Sequence, residues 1–390
     1  MPNQEIYFDN NATTQVAPCV LEAMLPWLQT RYGNPSSVYR AGRLARAAVD
    51  QARNQVADLL HASPEEIVFT SCGTESINTA ILSACSLDPD KQQIITSAVE
   101  HSATGKLCDH LARRGYEIVR LGVNASGLLD LDALSDALSA DTALVSLLWA
   151  NNETGVLFPV EEIAALCAER KIILHLDAVQ AVGKLPVDVS RLPGISFLSL
   201  SGHKLHAPKG VGALYVNRRV RFQPLLRGSQ ENTRRGGTEN VASLVALGRA
   251  AELAASGIEE EQTLVRHLRD TFETTILDQL QGVLVNGDRE LRLPNTTSLS
   301  FDGIEAEGAL ILLDEAGIAC SAGSACTSGS VTPSHVLQAM GMSNERARAS
   351  LRFSFGRFNS EAEIQQSLPV ILGIIEKLRR ENPLGGRPVL

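Results

Sequence analysis

From about residue 65 the chain alternates short apolar runs with stretches of helical length. The runs are EIVFT (66–70), QIITS (93–97), YEIVRL (116–121), TALVSLLWA (142–150), IILHLD (172–177), ISFLSLS (195–201) and GALYV (212–216). They are nearly continuous rather than alternating, which is the pattern of strands covered on both faces. The segments between them are long enough for crossover helices, so the pattern predicts an α/β fold with a mostly parallel sheet. The crossover EEIAALCAERK (161–171) is clearest, because Ile163, Ala164, Leu166 and Cys167 share one helical face.

After about residue 240 the texture changes. Two helix-like stretches, ASLVALGRAAELAASG and EEEQTLVRHLRDTFETTILDQL, lead to LPNTTSLSF, a Gly/Ser/Cys-rich loop, SLRFSFGRF and a last amphipathic helix. That mixture predicts a smaller α+β domain. We expect residues 15–255 to form the large domain, and 1–14 with 256–390 the small one.

Composition narrows the class of function. The chain has 390 residues, 44% of them hydrophobic, enough for two sizeable cores. Its net charge of −9 and the lack of any Lys/Arg block argue against nucleic acid as a partner. No run of about 18 apolar residues and no signal-peptide start is present, so we expect a cytoplasmic protein with no membrane role. The seven cysteines are odd in number and scattered, which suits reduced thiols better than a disulfide framework. Two glycosylation-like triplets, at Asn11 and Asn295, carry little weight without a secretory route.

In sheets of this kind ligands gather outside the carboxyl ends of the strands. The residues just after the runs are CGTES (72–76), EHSA (100–103), NNETG (151–155), DAVQ (177–180) and SGHK (201–204), all rich in polar side chains. Of seven lysines, Lys204 alone directly follows an apolar strand, where burial and neighbouring dipoles can help an amine form a Schiff base. Asp177 ends its strand with Gln180 three residues on. Its carboxylate either faces a pyridine nitrogen or caps a helix starting at Ala178. TSCGTES (70–76) follows a strand and opens a helix, which suits a phosphate; the alternative is ordinary capping by Ser71 or Thr74. No Walker loop and no GxGxxG after a strand occurs, which leaves a smaller phosphorylated cofactor. His101 can stack on a planar ring or shuttle protons, or be structural. His203 and His206 have no third ligand at a familiar spacing, so no metal is expected. Cys326 lies in ACSAGSACTSGSVTPSH (319–335), a small-residue loop in which a thiol can be exposed and reactive, and Cys320 makes a redox pair conceivable. Arg352 in SLRFSFG suits a bidentate clamp on a carboxylate.

Taken together, these residues resemble the class V aminotransferase-like group of fold-type I enzymes that use pyridoxal 5'-phosphate (PLP), and within it the cysteine desulfurases of the Nif and Isc types. The resemblance rests on YFDNNATT (7–14), YGNPSS (32–37), TSCGTES (70–76), EH (100–101), WANNETG (149–155), HLDAVQAVGK (175–184), LSGHKLHAPKGVG (200–212), RRGGTEN (234–240), GSACTSG (323–329) and LRFSFG (351–356). It spans nearly the whole chain, with the ten motifs in the family's order. TSCGTES, WANNETG and HKLHAPKG are closer to the Nif type.

The resemblance implies a seven-stranded, mostly parallel large-domain sheet and a small domain carrying the reactive cysteine. It implies that Lys204 holds the PLP, Asp177 pairs with the ring nitrogen, Gln180 meets the ring hydroxyl and His101 stacks on the ring and moves protons. Gly73, Thr74, Ser201 and His203 would hold the phosphate, and Thr238 would reach it from the second subunit of a homodimer. Asn152, beside the cofactor, and Arg352 would hold the substrate carboxylate. Cys326 would take sulfur from L-cysteine as a persulfide, leaving L-alanine. The sulfur would pass to an iron–sulfur scaffold protein, and the Nif likeness points to nitrogenase and nitrogen fixation. Cys320 and Ala322 depart from the family's usual residues. Rival readings are a PLP aminotransferase or selenocysteine lyase on the same scaffold, or a non-catalytic sulfur or metal carrier using Cys320 and Cys326.

Overall fold

The computed structural model describes residues 5–322 and 333–381. All seven apolar runs become strands of one sheet, in the spatial order Ile67–Thr70, Gly212–Val216, Ile195–Ser201, Ile173–Asp177, Thr142–Leu148, Gln93–Ser97, Glu117–Leu121. Neighbours are parallel from Ile195–Ser201 to Glu117–Leu121. Gly212–Val216 runs antiparallel to both strands beside it, and it is the strand that ties Ile67–Thr70 to the rest.

The continuous apolar runs are explained by cover on both faces. Thr142–Leu148 and Ile195–Ser201 are buried at every position. Successive residues serve opposite cores, as the pleat requires. Leu144 packs with Ile77, Ile81 and Leu107 from the helices Gly73–Leu87 and Ser102–Ala112. Its neighbour Val145 belongs to a second core with Val49, Ile163 and Leu247. The helix Val160–Arg170 buries Ile163, Ala164 and Cys167, leaves Leu166 half-buried, and stops at Lys171 in the left-handed conformation (φ 54°). Glu117–Leu121, at the sheet edge, is only partly covered.

The later part of the chain builds a four-stranded sheet in the order Ser321–Ala322, Ser350–Ser354, Thr296–Phe301, Val283–Val285. Its antiparallel pairing brings Arg352 opposite both Ser298 and Ser321. The short strand Ile6–Tyr7 pairs in parallel with Ile318–Ala319. Phe8 joins Phe272, Phe353 and Phe355 in the apolar cluster under this sheet, with the Phe272 and Phe353 ring centroids 4.7 Å apart.

The second long helical stretch is not continuous. A π-helical turn, Glu261–Val265, separates Ile258–Glu260 from Arg266–Gln279. The extra residue in such a turn rotates the helical register, and here Glu261 is buried. A second irregularity lies at Glu231, Asn232 and Thr233, with φ of 51°, 54° and 66°. Left-handed backbone is costly for these residues. A bidentate ion pair from Arg53 to Glu231, both bonds 2.7 Å, and the Phe69 N–H on the same carboxylate hold the turn in place. Among the described residues no single helix is long and apolar enough to cross a membrane.

Candidate active site

The polar tails of five strands converge on one cavity of about 270 Å³. Lys204, Asp177, Gln180, His101, Gly73, Thr74, Ser201, His203, Asn152 and Arg352 all line it. Thr238 does not line it and is exposed on the chain's own surface. Cys326 lies outside the described residues.

Each position follows from its local backbone. Asp177 is the last residue of its strand, and its Oδ1 accepts the Val179 N–H at 3.0 Å. That bond makes a tight turn, not the start of a helix, so the capping alternative does not hold. Burial pushes the Asp177 carboxyl up to about 6, against the charge of Lys204, which favours the anion. His101 caps the helix Ser102–Ala112, its Nδ1 accepting the Ala103 N–H at 3.1 Å. Accepting that proton fixes the tautomer, so Nε2 carries the hydrogen in the neutral ring. Burial, with Lys204 and His335 nearby, lowers the His101 pKa and keeps the ring neutral at pH 7.

The preceding residue, Glu100, is buried. Its Oε1 accepts from Ser97 Oγ (2.6 Å) and Leu148 N (3.0 Å), and burial raises it to about 8.

Lys204 ends the single helical turn Gly202–Lys204 after its strand. Its Nζ donates to the carbonyls of Asn11 (2.5 Å) and Ala12 (2.7 Å). Asn11 and Ala12 are pocket residues that strand periodicity did not single out, although they sit in the YFDNNATT motif. Asn11 is anchored from three directions, its Nδ2 donating to Thr296 Oγ1 (2.8 Å) and the Asn152 carbonyl (3.2 Å), and its Oδ1 accepting from Asn295 (3.0 Å).

The helix Gly73–Leu87 begins at the cavity wall, with Cys72, not Ser71 or Thr74, as its capping residue and no side-chain cap. Its first N–H groups are therefore left for a ligand. A Cβ at Gly73 would come within 2.9 Å of Val179 Cγ2 and 3.3 Å of Ser201 Cβ, so only glycine leaves this cradle open. Ser201 Oγ is buried without a hydrogen-bond partner among the described residues. His203 stands beside it, joined through Nδ1 to Thr13 Oγ1 at 3.1 Å and driven down to about 4 by burial and nearby lysines. A helix N-terminus, an unused buried hydroxyl and a glycine floor together suit a phosphate. An amine, a buried carboxylate and a donor-rich amide line the same cavity. The whole donor set fits PLP.

Described residues on either side of 323–332 bond to neighbours of the pocket. On the near side Ser321 Oγ donates to Asp9 Oδ2 at 2.7 Å. On the far side Ser334 Oγ donates to Glu153 Oε2 at 2.5 Å, and His335 Nε2 lies 3.0 Å from the Glu100 carbonyl. Burial raises Glu153 to about 7. Cys320 is half-buried, and desolvation together with the Asp9 charge drives its thiol far up, so it is a poor nucleophile.

The aminotransferase class-V family matches residues 6–366. A cysteine desulfurase of Enterobacter agglomerans is 50% identical over 382 residues, covering 97% of this chain and 95% of that protein. The cysteine desulfurase NifS of Azotobacter vinelandii is 49% identical over 389 residues, 99% of this chain and 96% of its own length. A solved NifS-like protein superposes with a TM-score of 0.90 at 35% identity, covering 96% of this chain and 100% of that one. With cofactor-shaped geometry and full-length likeness in agreement, the chain belongs to the class-V aminotransferase family, among its cysteine desulfurases.

Proposed function

We propose that this chain removes sulfur from L-cysteine with PLP held on Lys204. The carrying observation is the convergence of Lys204, Asp177, Gln180, His101 and the Gly73/Ser201 cradle on one cavity. Bound there, PLP supplies an electron-withdrawing ring that stabilises negative charge at the substrate α-carbon. Asp177 would face the ring nitrogen as an anion, and Gln180 would donate toward the ring oxygen. Ser201, His203, Gly73 and Thr74 hold the phosphate. His101 would lie over the ring, and its neutral state at pH 7 suits it to take or return a proton; Lys204 would be the second proton carrier. Arg352 and Asn152 hold the substrate carboxylate.

The sulfur acceptor is Cys326. Its thiolate attacks the substrate sulfur, the S–S bond forms as the C–S bond breaks, and the electron pair stays with the substrate carbon. That carbon takes up a proton and leaves as L-alanine, with the persulfide on the protein. Support comes from Ser321 and Ser334, which flank residues 323–332 and bond to Asp9 and Glu153 beside pocket residues. An aminotransferase has no use for such a thiol, and a Cys320-based carrier is disfavoured by the strongly raised thiol of Cys320.

We further propose a cytoplasmic homodimer that delivers sulfur to an iron–sulfur scaffold, with nitrogenase as the destination suggested by the name of the NifS relative. Thr238 faces outward, and Tyr32 (85% exposed) and Val38 (86%) are apolar residues left uncovered. Both facts suit a second copy whose phosphate Thr238 reaches. We take the domain boundary to lie near residue 255, with residues 1–14 belonging to the small domain.

Incubation of the protein with L-cysteine tests the reading. Alanine should appear with a persulfide mapped to Cys326, and Cys326→Ala should keep the visible cofactor absorbance while sulfide release stops. Sustained sulfide release from Cys326→Ala would remove the nucleophile assignment. A protein without the absorbance, its Lys204 unmodified, would remove the cofactor.

A further inference from the structure

We propose that Lys184, which lies outside the pocket, is a positioning residue of the active site: it fixes the Gln180 amide with its N–H₂ toward the pocket, making that wall a donor for an acceptor oxygen on the cofactor ring. The inference rests on the reading of Gln180 given above.

Lys184 is only 5% exposed. Its Nζ donates to Gln180 Oε1 at 2.6 Å and approaches the Gln180 carbonyl at 3.3 Å. The two ends of a glutamine amide are nearly indistinguishable by shape, so its orientation is set by what surrounds it. An ammonium has three donors and no acceptor, so the amide atom facing it must be oxygen. The nitrogen is thereby sent the other way, where it donates to the Asn11 carbonyl at 2.9 Å. The same carbonyl receives Lys204 Nζ at 2.5 Å. A chain of donors thus runs from Lys184 through Gln180 to Asn11 and meets the amine of Lys204. Gln180 Nε2 has a second hydrogen, and the side chain lines the cavity.

Lys184 is itself held from behind. It lines a separate cavity of about 20 Å³ with Lys204, Glu261, His206 and Arg357. Gln262, in the π-helical turn, donates its Nε2 to the Lys184 carbonyl at 2.7 Å. The charged groups around the ammonium are Glu261 from that turn, Lys204 and His203 from the cofactor loop, Arg352 from the small sheet, and His206 and Arg357, the latter paired with Glu260. Burial and Lys204 draw Lys184 toward its neutral form, and Glu261 opposes them. In its protonated form, which Glu261 favours, Lys184 is a cation behind the wall that faces the ring oxygen and near the amine of Lys204, and it disfavours protonation at both. A purely structural ion pair with Glu261 would leave the proton affinity of the bound cofactor unaltered.

The test is a pH titration of the visible absorbance of cofactor-loaded protein, with melting of the cofactor-free form as the check on folding. Lys184→Met and the paired variant Lys184→Met/Glu261→Gln, which leaves no lone buried carboxylate, should both move the midpoint upward by about one pH unit, about tenfold in proton affinity. Gln180→Leu should move it the same way, and adding Lys184→Met to Gln180→Leu should add little. A paired variant that melts like the wild type and titrates at the wild-type midpoint, while Gln180→Leu shifts, would overturn the role of Lys184 and leave the cofactor reading standing. An unchanged spectrum in Gln180→Leu would overturn the Gln180 reading and this proposal together.

Discussion

Asp9 Oδ1 accepts a 2.6 Å bond from Nη2 of Arg352, while its other oxygen holds Ser321 at the root of the segment that carries Cys326. The Arg352 Nη1 is taken by the Asn152 carbonyl at 2.9 Å, and Nε has no partner among the described residues. The guanidinium is therefore fixed at two corners with one buried edge left for an anion. Arg352→Lys keeps the charge but loses the planar fork. We expect the KM for L-cysteine to rise about ten- to a hundredfold with a smaller change in kcat, read from steady-state kinetics. Asp9→Ala strands a side chain that is 4% exposed, and chemical denaturation should show a loss of about 1 to 3 kcal/mol.

The unpartnered hydroxyl of Ser201 makes a prediction with two signs. Removing it costs the cofactor-free protein nothing, because no bond is lost, so Ser201→Ala should melt at the wild-type temperature or slightly above. Affinity for the cofactor should fall about tenfold, the worth of a hydrogen bond to a charged oxygen, measured by equilibrium dialysis. A matching loss of stability in the cofactor-free form would mean that Ser201 serves packing.

Glu153 is a buried carboxyl raised from 4.5 to about 7 by desolvation. The folded chain keeps its proton in a range where the unfolded chain has lost it. Its contribution therefore weakens the fold progressively as pH rises from about 4.5 to about 7, by at most about 1.4 kcal/mol per unit. Glu153→Gln keeps an acceptor for Ser334 and removes the titration. The stability of the variant relative to wild type should climb across that window and level off above it, by denaturation at several pH values. The buried imidazoles lose stability with falling pH in both proteins and cancel in the difference.

Thr238 is exposed here, and Arg235, three residues before it, is paired with Glu75 in the first turn of the phosphate-facing helix at 2.9 Å. If that loop serves a second copy, Thr238→Ala should weaken cofactor retention severalfold without changing the dimer seen by sedimentation. A wild-type protein that is active and sediments as a monomer would contradict it.

Most of the large sheet was legible because its strands are buried on both faces and so read as apolar runs; three of the seven, 93–97, 195–201 and 212–216, match to the residue. Ten predicted site residues meet, nine of them because strand ends of the large sheet concentrate them at one edge, with Arg352 coming from the small sheet. What could not be read is what depends on distant partners. Asn11 and Ala12 act through main-chain carbonyls, which no side-chain pattern reveals. Lys184 looks like any surface lysine until Gln180 and Glu261 enclose it. Periodicity predicted one helix over 259–280, because a π-helical turn shifts register without breaking the apolar pattern. Asp177 makes a turn where a helix cap was an alternative, since both use the same carboxylate-to-N–H bond at the outset.

The antiparallel strand Gly212–Val216 also sets a timetable for assembly. Ile67–Thr70 meets its sheet partner some 140 residues later in the chain, so the strand that leads into the Gly73 cradle cannot dock until translation has passed residue 216. The Asn11 carbonyl waits longer still, since its residue is anchored by Asn295, Thr296 and Ser354. Such distant closures are slow steps in folding. The pocket wall at Asn11 is therefore complete only when residues as far apart in the chain as Asn11 and Ser354 have come together.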